Sequence, residues 1–321
     1  MRGTHNGGMP EPTVRAAIDT GSNSVHLLVA RVIDAHELSP LADTSVLIPL
    51  GDAVDRHGRI TEAEGQRVLA AITRFVALAE EHGAVSVTLL GTEPLRRAAD
   101  SGALASTVWA ATGRPLHVVS HDQEGLLTVI GVTHGRAPRD EVVIIDIGGG
   151  STEYVQLTPG KDPRPAALAT GSSRLARRFL EHDPPLPDEL NLLRNAVREL
   201  MRATVPELRP VEIVLVGGTV TNLLKLFPAS ADRRLTAERL ENALTMLLAE
   251  PADAVAARFR TSSRRASLLP AGAALVEGFL TRFGASEARV SQASLREGTV
   301  LAVSRAGDAW CEQLLDLARG W

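Results

Sequence analysis

With 321 residues, 44% of them apolar and 22% charged, the chain has the make-up of a soluble globular protein long enough for two domains. A net charge of −4 argues against a general nucleic-acid binder, and a single cysteine, Cys311, excludes an intramolecular disulfide and zinc-knuckle spacing. No run approaches the ~18 apolar residues of a membrane span, and the opening MRGTHNGGMPEPT lacks the apolar segment of a signal peptide, so a cytoplasmic protein with no membrane partner is expected.

Residues 1–13 read as a disordered leader. Strands are expected at 14–18 and 25–33, and a third at 47–51 before the turn DRHGR. A helix follows, capped by Thr61 with Glu64 three residues on, its inner face formed by Val68, Ile72, Phe75 and Ala79. Strands at 85–90 and 115–120 flank a helix over 104–110, and a helix starts near Gln123. GRAPRD, residues 135–140, is the best linker candidate, dividing the chain into domains 14–137 and 138–321. Beyond it, strands are expected at 142–147, 154–157, 166–170 and 213–216. Helices are expected at about 172–180, 188–204, 236–248, 271–283 and 296–317. Strands alternating with helices predict an α/β fold with sheets covered by helices.

Each half opens on the same pattern. AAIDTGSNSVHLLVARV and VIIDIGGGSTEYVQL both run apolar strand, Asp, any residue, Gly, two small residues, Ser, second strand. Asp19 matches Asp146, Gly21 matches Gly148, and Ser24 matches Ser151. A self-match of this kind implies two similar domains facing each other. Glycines let backbone N–H groups approach an anion closely, and Ser22, Asn23, Ser24 and Ser151 add side-chain donors. A lone carboxylate beside such a nest repels phosphate, whereas a bound Mg²⁺ makes the pairing attractive. The two hairpins therefore read as a two-sided phosphate clamp with a metal, against the plainer reading of two tight turns. A third turn, LVGGTVTNLLKL, places Gly217, Gly218 and Thr219 at a helix start, where they serve either an anion or a simple cap.

DTGSNSVHLL, GTEPLRRA, SHDQEGLLTVIGV, DIGGGSTEYV, VGGTVTNL, LLPAGAALVEGFL and ASLREGTVLA follow one another in this order. Together they resemble the exopolyphosphatase / guanosine pentaphosphate phosphohydrolase (Ppx/GppA) family, in a short form without extra C-terminal domains. The resemblance implies two actin-like domains of the acetate and sugar kinase, heat-shock chaperone ATPase and actin superfamily, with an active cleft between them. It implies Glu124 as the base that activates a water, and Arg96 as a phosphate-contacting arginine. Gly21, Ser22, Asn23, Ser24, Gly148, Gly149, Gly150, Ser151, Gly217, Gly218, Thr219 and Arg265 would hold phosphate. Asp146, Glu153 and Asp19 would hold Mg²⁺ or Mn²⁺, and a monovalent cation such as K⁺ is compatible with the pattern. Arg296 of LREG is expected to brace the last helix. Gln123 stands where the family usually has a second acidic residue. The resemblance also admits a homodimer.

Inorganic polyphosphate needs spaced cations along a groove, and the chain offers Arg174, Arg177 and Arg178, Arg233 with Arg234, and Arg264 with Arg265. Aromatic residues are only 3% of the chain, so a stacking platform for guanosine is not evident. Inorganic polyphosphate is the first expectation and guanosine pentaphosphate the second. A kinase with an adenine site at LVGGTVTN and a non-catalytic nucleotide sensor are the other classes that the motifs admit.

Overall fold

The computed structural model describes residues 13–227 and 232–321. The expected leader lies outside them except for Thr13, which opens the first strand. Strands β1 (Thr13–Thr20), β2 (Ser24–Val32), β3 (Leu38–Leu47), β4 (Ser86–Gly91) and β5 (Leu116–Val118) form one sheet in the order β3-β2-β1-β4-β5. The first three run antiparallel, and β4 and β5 run parallel to β1. Helices α1 (Leu50–His57), α2 (Glu62–Glu81), α3 (Glu93–Arg97), α4 (Ser101–Thr112) and α5 (His121–Thr133) accompany it. At the start of α2 the Thr61 hydroxyl accepts from the Glu64 N–H, and Val68, Ile72, Phe75 and Ala79 are buried as their spacing predicts.

The strand expected at 47–51 is not there. The strand is β3, which ends at Leu47, and the chain then passes into α1. LSPLADTSVL is a half-exposed edge strand carrying Pro40, so its apolar alternation is weak. The apolar run after it serves the first hairpin instead of a sheet. The Ile48 N–H donates to the Asn23 carbonyl at 3.0 Å, and the Gly51 N–H donates to the Ser22 carbonyl at 2.9 Å.

The second sheet holds β6 (Val142–Ile147), β7 (Thr152–Leu157), β8 (Arg164–Leu168), β9 (Glu212–Val216), β10 (Arg234–Thr236) and β11 (Glu287–Val290), in the order β10-β11-β9-β6-β7-β8. Its helices are α6 (Ser172–Phe179), α7 (Pro187–Thr204), α8 (Gly218–Lys225), α9 (Ala237–Ala249), α10 (Ala252–Phe259), α11 (Ser263–Ser267) and α12 (Leu269–Phe283). The expected final helix is interrupted. It runs as α13 (Leu295–Ala306), a 3₁₀ turn at Gly307–Cys311 and α14 (Leu314–Arg319).

The sequence echo is an echo of structure. β1 pairs antiparallel with β2 and parallel with β4; β6 pairs antiparallel with β7 and parallel with β9. Each hairpin closes with the same bond, Gly21 N–H to the Ser24 carbonyl at 3.0 Å and Gly148 N–H to the Ser151 carbonyl at 3.1 Å. Two helices tie the halves together. Leu126, Leu127 and Ile130 of α5 share a core with Ile144, Val155 and Val214 of the second sheet, while Val300 of α13 packs on Ala17, Leu28 and Ala30 of the first. They cross at Gly131 and Gly298, where a Cβ on either residue would strike the facing backbone. Glu124 rides on α5, so this crossing positions the site.

Candidate active site

A cavity of about 250 Å³ opens between the two hairpins. Asp19, Gly21, Ser22, Asn23 and Ser24 line it from the first hairpin. Asp146, Gly148, Gly149, Gly150 and Ser151 line it from the second, and Gly217, Gly218, Thr219 and Arg265 complete the far wall. The N–H groups of Ser22, Asn23, Gly149 and Gly150 make no backbone hydrogen bond among the described residues. They belong to residues that line the cavity and remain available as donors.

Asp19 and Asp146 stand at the ends of β1 and β6, on the cavity floor. Burial pushes Asp19 up to about 6, with Arg296 and Arg96 pulling the other way. Burial, then the charges of Glu153 and Asp19, push Asp146 up to about 7. The Oδ1 atom of Asp19 is buried without a hydrogen-bond partner among the described residues. Neither carboxylate forms an ion pair among them, so a divalent cation would relieve both. The neighbouring His26 ring is held neutral. Burial first, then Arg296, lowers it to about 3, and its Nε2 lies 2.6 Å from the Ser24 hydroxyl.

Glu124 lies in the first turn of α5, 8% exposed and on the cavity wall. Its helix starts at a reciprocal cap: the Gln123 N–H donates to the Ser120 hydroxyl at 3.1 Å, and the Ser120 N–H donates to Gln123 Oε1 at 2.8 Å. Gln123, the departure from the family pattern, is thus a capping residue whose amide suits that task as well as a carboxylate. Burial raises the Glu124 carboxyl well above its ordinary value; the Glu153 charge adds to this and Arg96 opposes it.

Arg96 does not line the cavity. Expected on phosphate, it sits behind Glu124 instead: Nη1 donates to Glu124 Oε2 at 2.6 Å and to the Val119 carbonyl at 2.9 Å, and Nη2 lies 3.3 Å from Glu153 Oε1. Glu153, expected on Mg²⁺, is 2% exposed, off the cavity wall, and held by Arg96 and by His121 Nδ1 at 2.7 Å. His121, Glu124 and Glu153 bring ligand-type atoms within 4.8 Å of one another. The Arg96 guanidinium already occupies that group, bridging both of its carboxylates, which leaves Asp19 and Asp146 as the carboxylates without an ion-pair partner among the described residues.

The other expected cations are mostly engaged. Arg174 pairs with Glu93 at 2.5 Å, Arg177 with Asp52 at 3.0 Å, and Arg264 with Asp52 at 2.6 Å. Arg234 pairs with Glu287, and Arg178 lies over the Phe179 ring. Arg296, expected to brace the last helix instead of touching substrate, donates to Asp43 at 2.6 Å and to the Leu27 carbonyl at 3.3 Å, and it also lines the cavity. Arg265 lines the cavity and enters no ion pair among the described residues; burial lowers its pKa from the ordinary guanidinium value.

Sequence reasoning did not single out Glu93, Asp52, Asp55, His26 or His121. Glu93 carried a signal in GTEPLRRA, an acid placed i,i+4 from Arg97 at the start of a helix with Pro94 behind it. It accepts from the Ser22 hydroxyl at 2.9 Å and so touches the first hairpin.

The model of the Ppx/GppA phosphatase family matches residues 28–305. Exopolyphosphatase 1 of Mycobacterium leprae is 29% identical over 299 residues, covering 88% of this chain and 87% of that protein. Exopolyphosphatase 1 of Mycobacterium tuberculosis is also 29% identical, over 302 residues, with 88% and 86% covered. Among solved structures, a Ppx/GppA family member from Aquifex aeolicus superposes with a TM-score of 0.79 at 27% identity, over 92% of this chain and 99% of that one.

Proposed function

The chain belongs to the Ppx/GppA phosphatase family, and we propose that it is an exopolyphosphatase releasing terminal orthophosphate from inorganic polyphosphate. The observation that carries the reading is the cavity between the hairpins, where free backbone donors, two unpaired aspartates and buried Glu124 meet. The relatives named exopolyphosphatase support the same substrate class. No Phe, Tyr or Trp lines the cavity among the described residues, which favours an inorganic chain over guanosine pentaphosphate, the second reading.

The terminal phosphoryl group lies in the N–H donors of the turns at 21–24 and 148–151, with Arg265 on the following phosphates. Glu124 orients a water and takes its proton as the water oxygen bonds to phosphorus. The bridging P–O bond breaks and the shortened chain leaves with that electron pair. A raised carboxyl pKa suits a base working near neutral pH, because it holds the accepted proton more firmly. Arg96 fixes one Glu124 oxygen and so orients the other, a positioning role. Asp19 and Asp146 would hold Mg²⁺, which supplies neutralisation of the phosphoryl oxygens. A cytoplasmic location accords with such a substrate; among the described residues no helix is long and apolar enough to cross a membrane.

The deciding experiment is phosphate release, with Mg²⁺, from long-chain polyphosphate, tripolyphosphate and guanosine pentaphosphate, by wild type and Glu124→Ala. Release from polyphosphate that collapses in the variant is expected. Release from guanosine pentaphosphate alone would install the second reading, and release untouched by the substitution would remove Glu124 from the mechanism.

A further inference from the structure

One end of the cleft is closed by charge. Asp52 and Asp55 on α1 and Glu93 on α3 belong to the first half; Arg174 and Arg177 on α6 and Arg264 on α11 belong to the second. They join across the cleft. Arg174 reaches Glu93 at 2.5 Å and Asp55 at 3.4 Å, Arg177 reaches Asp52 at 3.0 Å and also Asp55, and Arg264 reaches Asp52 at 2.6 Å. Arg97 adds a fourth guanidinium at 2.6 Å from Asp55. Four cations against three carboxylates leave little net charge. Asn23 seals the seam, its amide donating to the Ser173 hydroxyl at 3.1 Å.

A second cavity of about 310 Å³ lies directly beyond this seam. Asp52, Arg177, Arg264 and Ser173 are shared between the seam and its wall. Its remaining charges include Glu181, Asp183 and Glu250, so carboxylates outnumber arginines there. A polyanion extending from the hairpins in this direction would have to displace three carboxylates tethered beside their arginines, and would then meet more negative charge.

Resting on the exopolyphosphatase reading, we propose that Asp52 and Asp55, with Glu93, are specificity-determining residues. They mask Arg174, Arg177 and Arg264 and close this end of the cleft to extended chains. The site then favours short phosphoanhydrides, whose few phosphates fit between the hairpins and Arg265, over long polyphosphate. Neither Asp52 nor Asp55 touches the reacting group. The chain-length preference follows from the balance of charge at the seam.

The test is the Asp52→Asn/Asp55→Asn protein against wild type, with tripolyphosphate and long-chain polyphosphate as substrates. Binding of both is also measured by equilibrium dialysis without divalent cation. Unmasking Arg177 and Arg264, while Arg174 keeps Glu93, should lower KM and Kd for the long chain by about tenfold, with tripolyphosphate kinetics held within about twofold. The gain should vanish at high salt and shrink on adding Arg177→Gln, with Arg264 still unmasked. Equal changes for both substrates, or no tighter binding of the long chain, overturns the proposal. Should wild type release phosphate from neither substrate, the exopolyphosphatase reading falls, and dialysis still decides whether the seam excludes long chains. A melting curve checks the fold of the double variant, and Asp52→Asn alone must shift long-chain binding in the same direction by a smaller factor.

Discussion

Two sets of carboxylates border the same cleft and have opposite surroundings. Asp19 and Asp146 on the floor are surrounded by protein without an arginine partner among the described residues, and burial pushes them up to about 6 and about 7. Asp55 at the seam is also partly buried, which alone would raise its pKa, but the Arg177 hydrogen bond and the charges of Arg97 and Arg174 hold it below the ordinary value. The difference lies in the partner. Arginine neutralises a carboxylate permanently and makes it a strut; an unpartnered pair stays available for a cation that comes and goes with substrate. Glu124 falls between the two sets, buried like the floor and held by one arginine, which suits a group that must accept a proton and release it again.

The largest break in this pattern is Glu124→Gln, which keeps the shape and the Arg96 contact but removes the base. Loss of kcat by about 10²- to 10⁴-fold is expected. A loss under threefold in steady-state phosphate release would leave Glu124 an ordinary buried acid. Arg96→Gln comes next. Arg96 opposes the upward shift of Glu124, so its removal should move the acid limb of the kcat–pH profile to higher pH while KM changes little. An unmoved limb together with a raised KM would mean that Arg96 binds substrate directly, as the family resemblance implies. Glu124 and Glu153 lose their counter-ion, so a stability loss of about 3–5 kcal/mol accompanies the variant and sets the temperature of the assay.

The hairpins were legible because Asp-x-Gly-x-x-Ser recurs, and the same Gly-to-Ser bond closes both turns. Glu124 was legible only through resemblance; nothing in HDQEGLL distinguishes a base from a first-turn acid favouring the helix dipole. The seam was not legible. Arg174 and Glu93 are 81 residues apart, and Arg264 and Asp52 are 212 apart, so no local pattern joins them. The arginines were visible as candidate groove cations, but two of the three carboxylates that cancel them, Asp52 and Asp55, lie on α1, in a segment whose apolar start reads as a strand. Arg96 shows the same limit. The motif located it at the site, but the fold puts it behind the base instead of on the cavity wall.

A pH series sharpens the contrast between floor and seam. Asp19 and Asp146 hold protons more tightly folded than unfolded, so the stability they contribute is full below pH 4 and is lost as pH rises through about 6 and 7. Glu124 shifts in the same direction. Without divalent cation, urea unfolding should therefore show stability falling from pH 5 to pH 8. Seam carboxylates such as Asp55, with lowered values, act the other way and only at more acidic pH. Mg²⁺ binds the ionised pair and should flatten the fall, with an effect that grows with pH. The same slope with and without Mg²⁺ would show that the cation is not held by these two aspartates.

The smallest effect tests whether the seam differs from an ordinary surface pair. Arg234 and Glu287 meet at 2.5 Å across β10 and β11, but both side chains are about two-fifths exposed, at 40% and 41%. Arg174 is 19% exposed and its partner Glu93 only 5%. Water screens the first pair, and its coupling in a double-mutant cycle should be under about 1 kcal/mol. The second loses more hydration on pairing and, when broken, leaves buried Glu93 with Arg97 as its one remaining ion-pair partner among the described residues, so Arg174→Gln should cost more than Arg234→Gln in urea unfolding at neutral pH. Raised salt should erase the Arg234 coupling first. Equal costs and equal salt dependence would reduce the seam to surface decoration and remove the energetic basis for its selecting chain length.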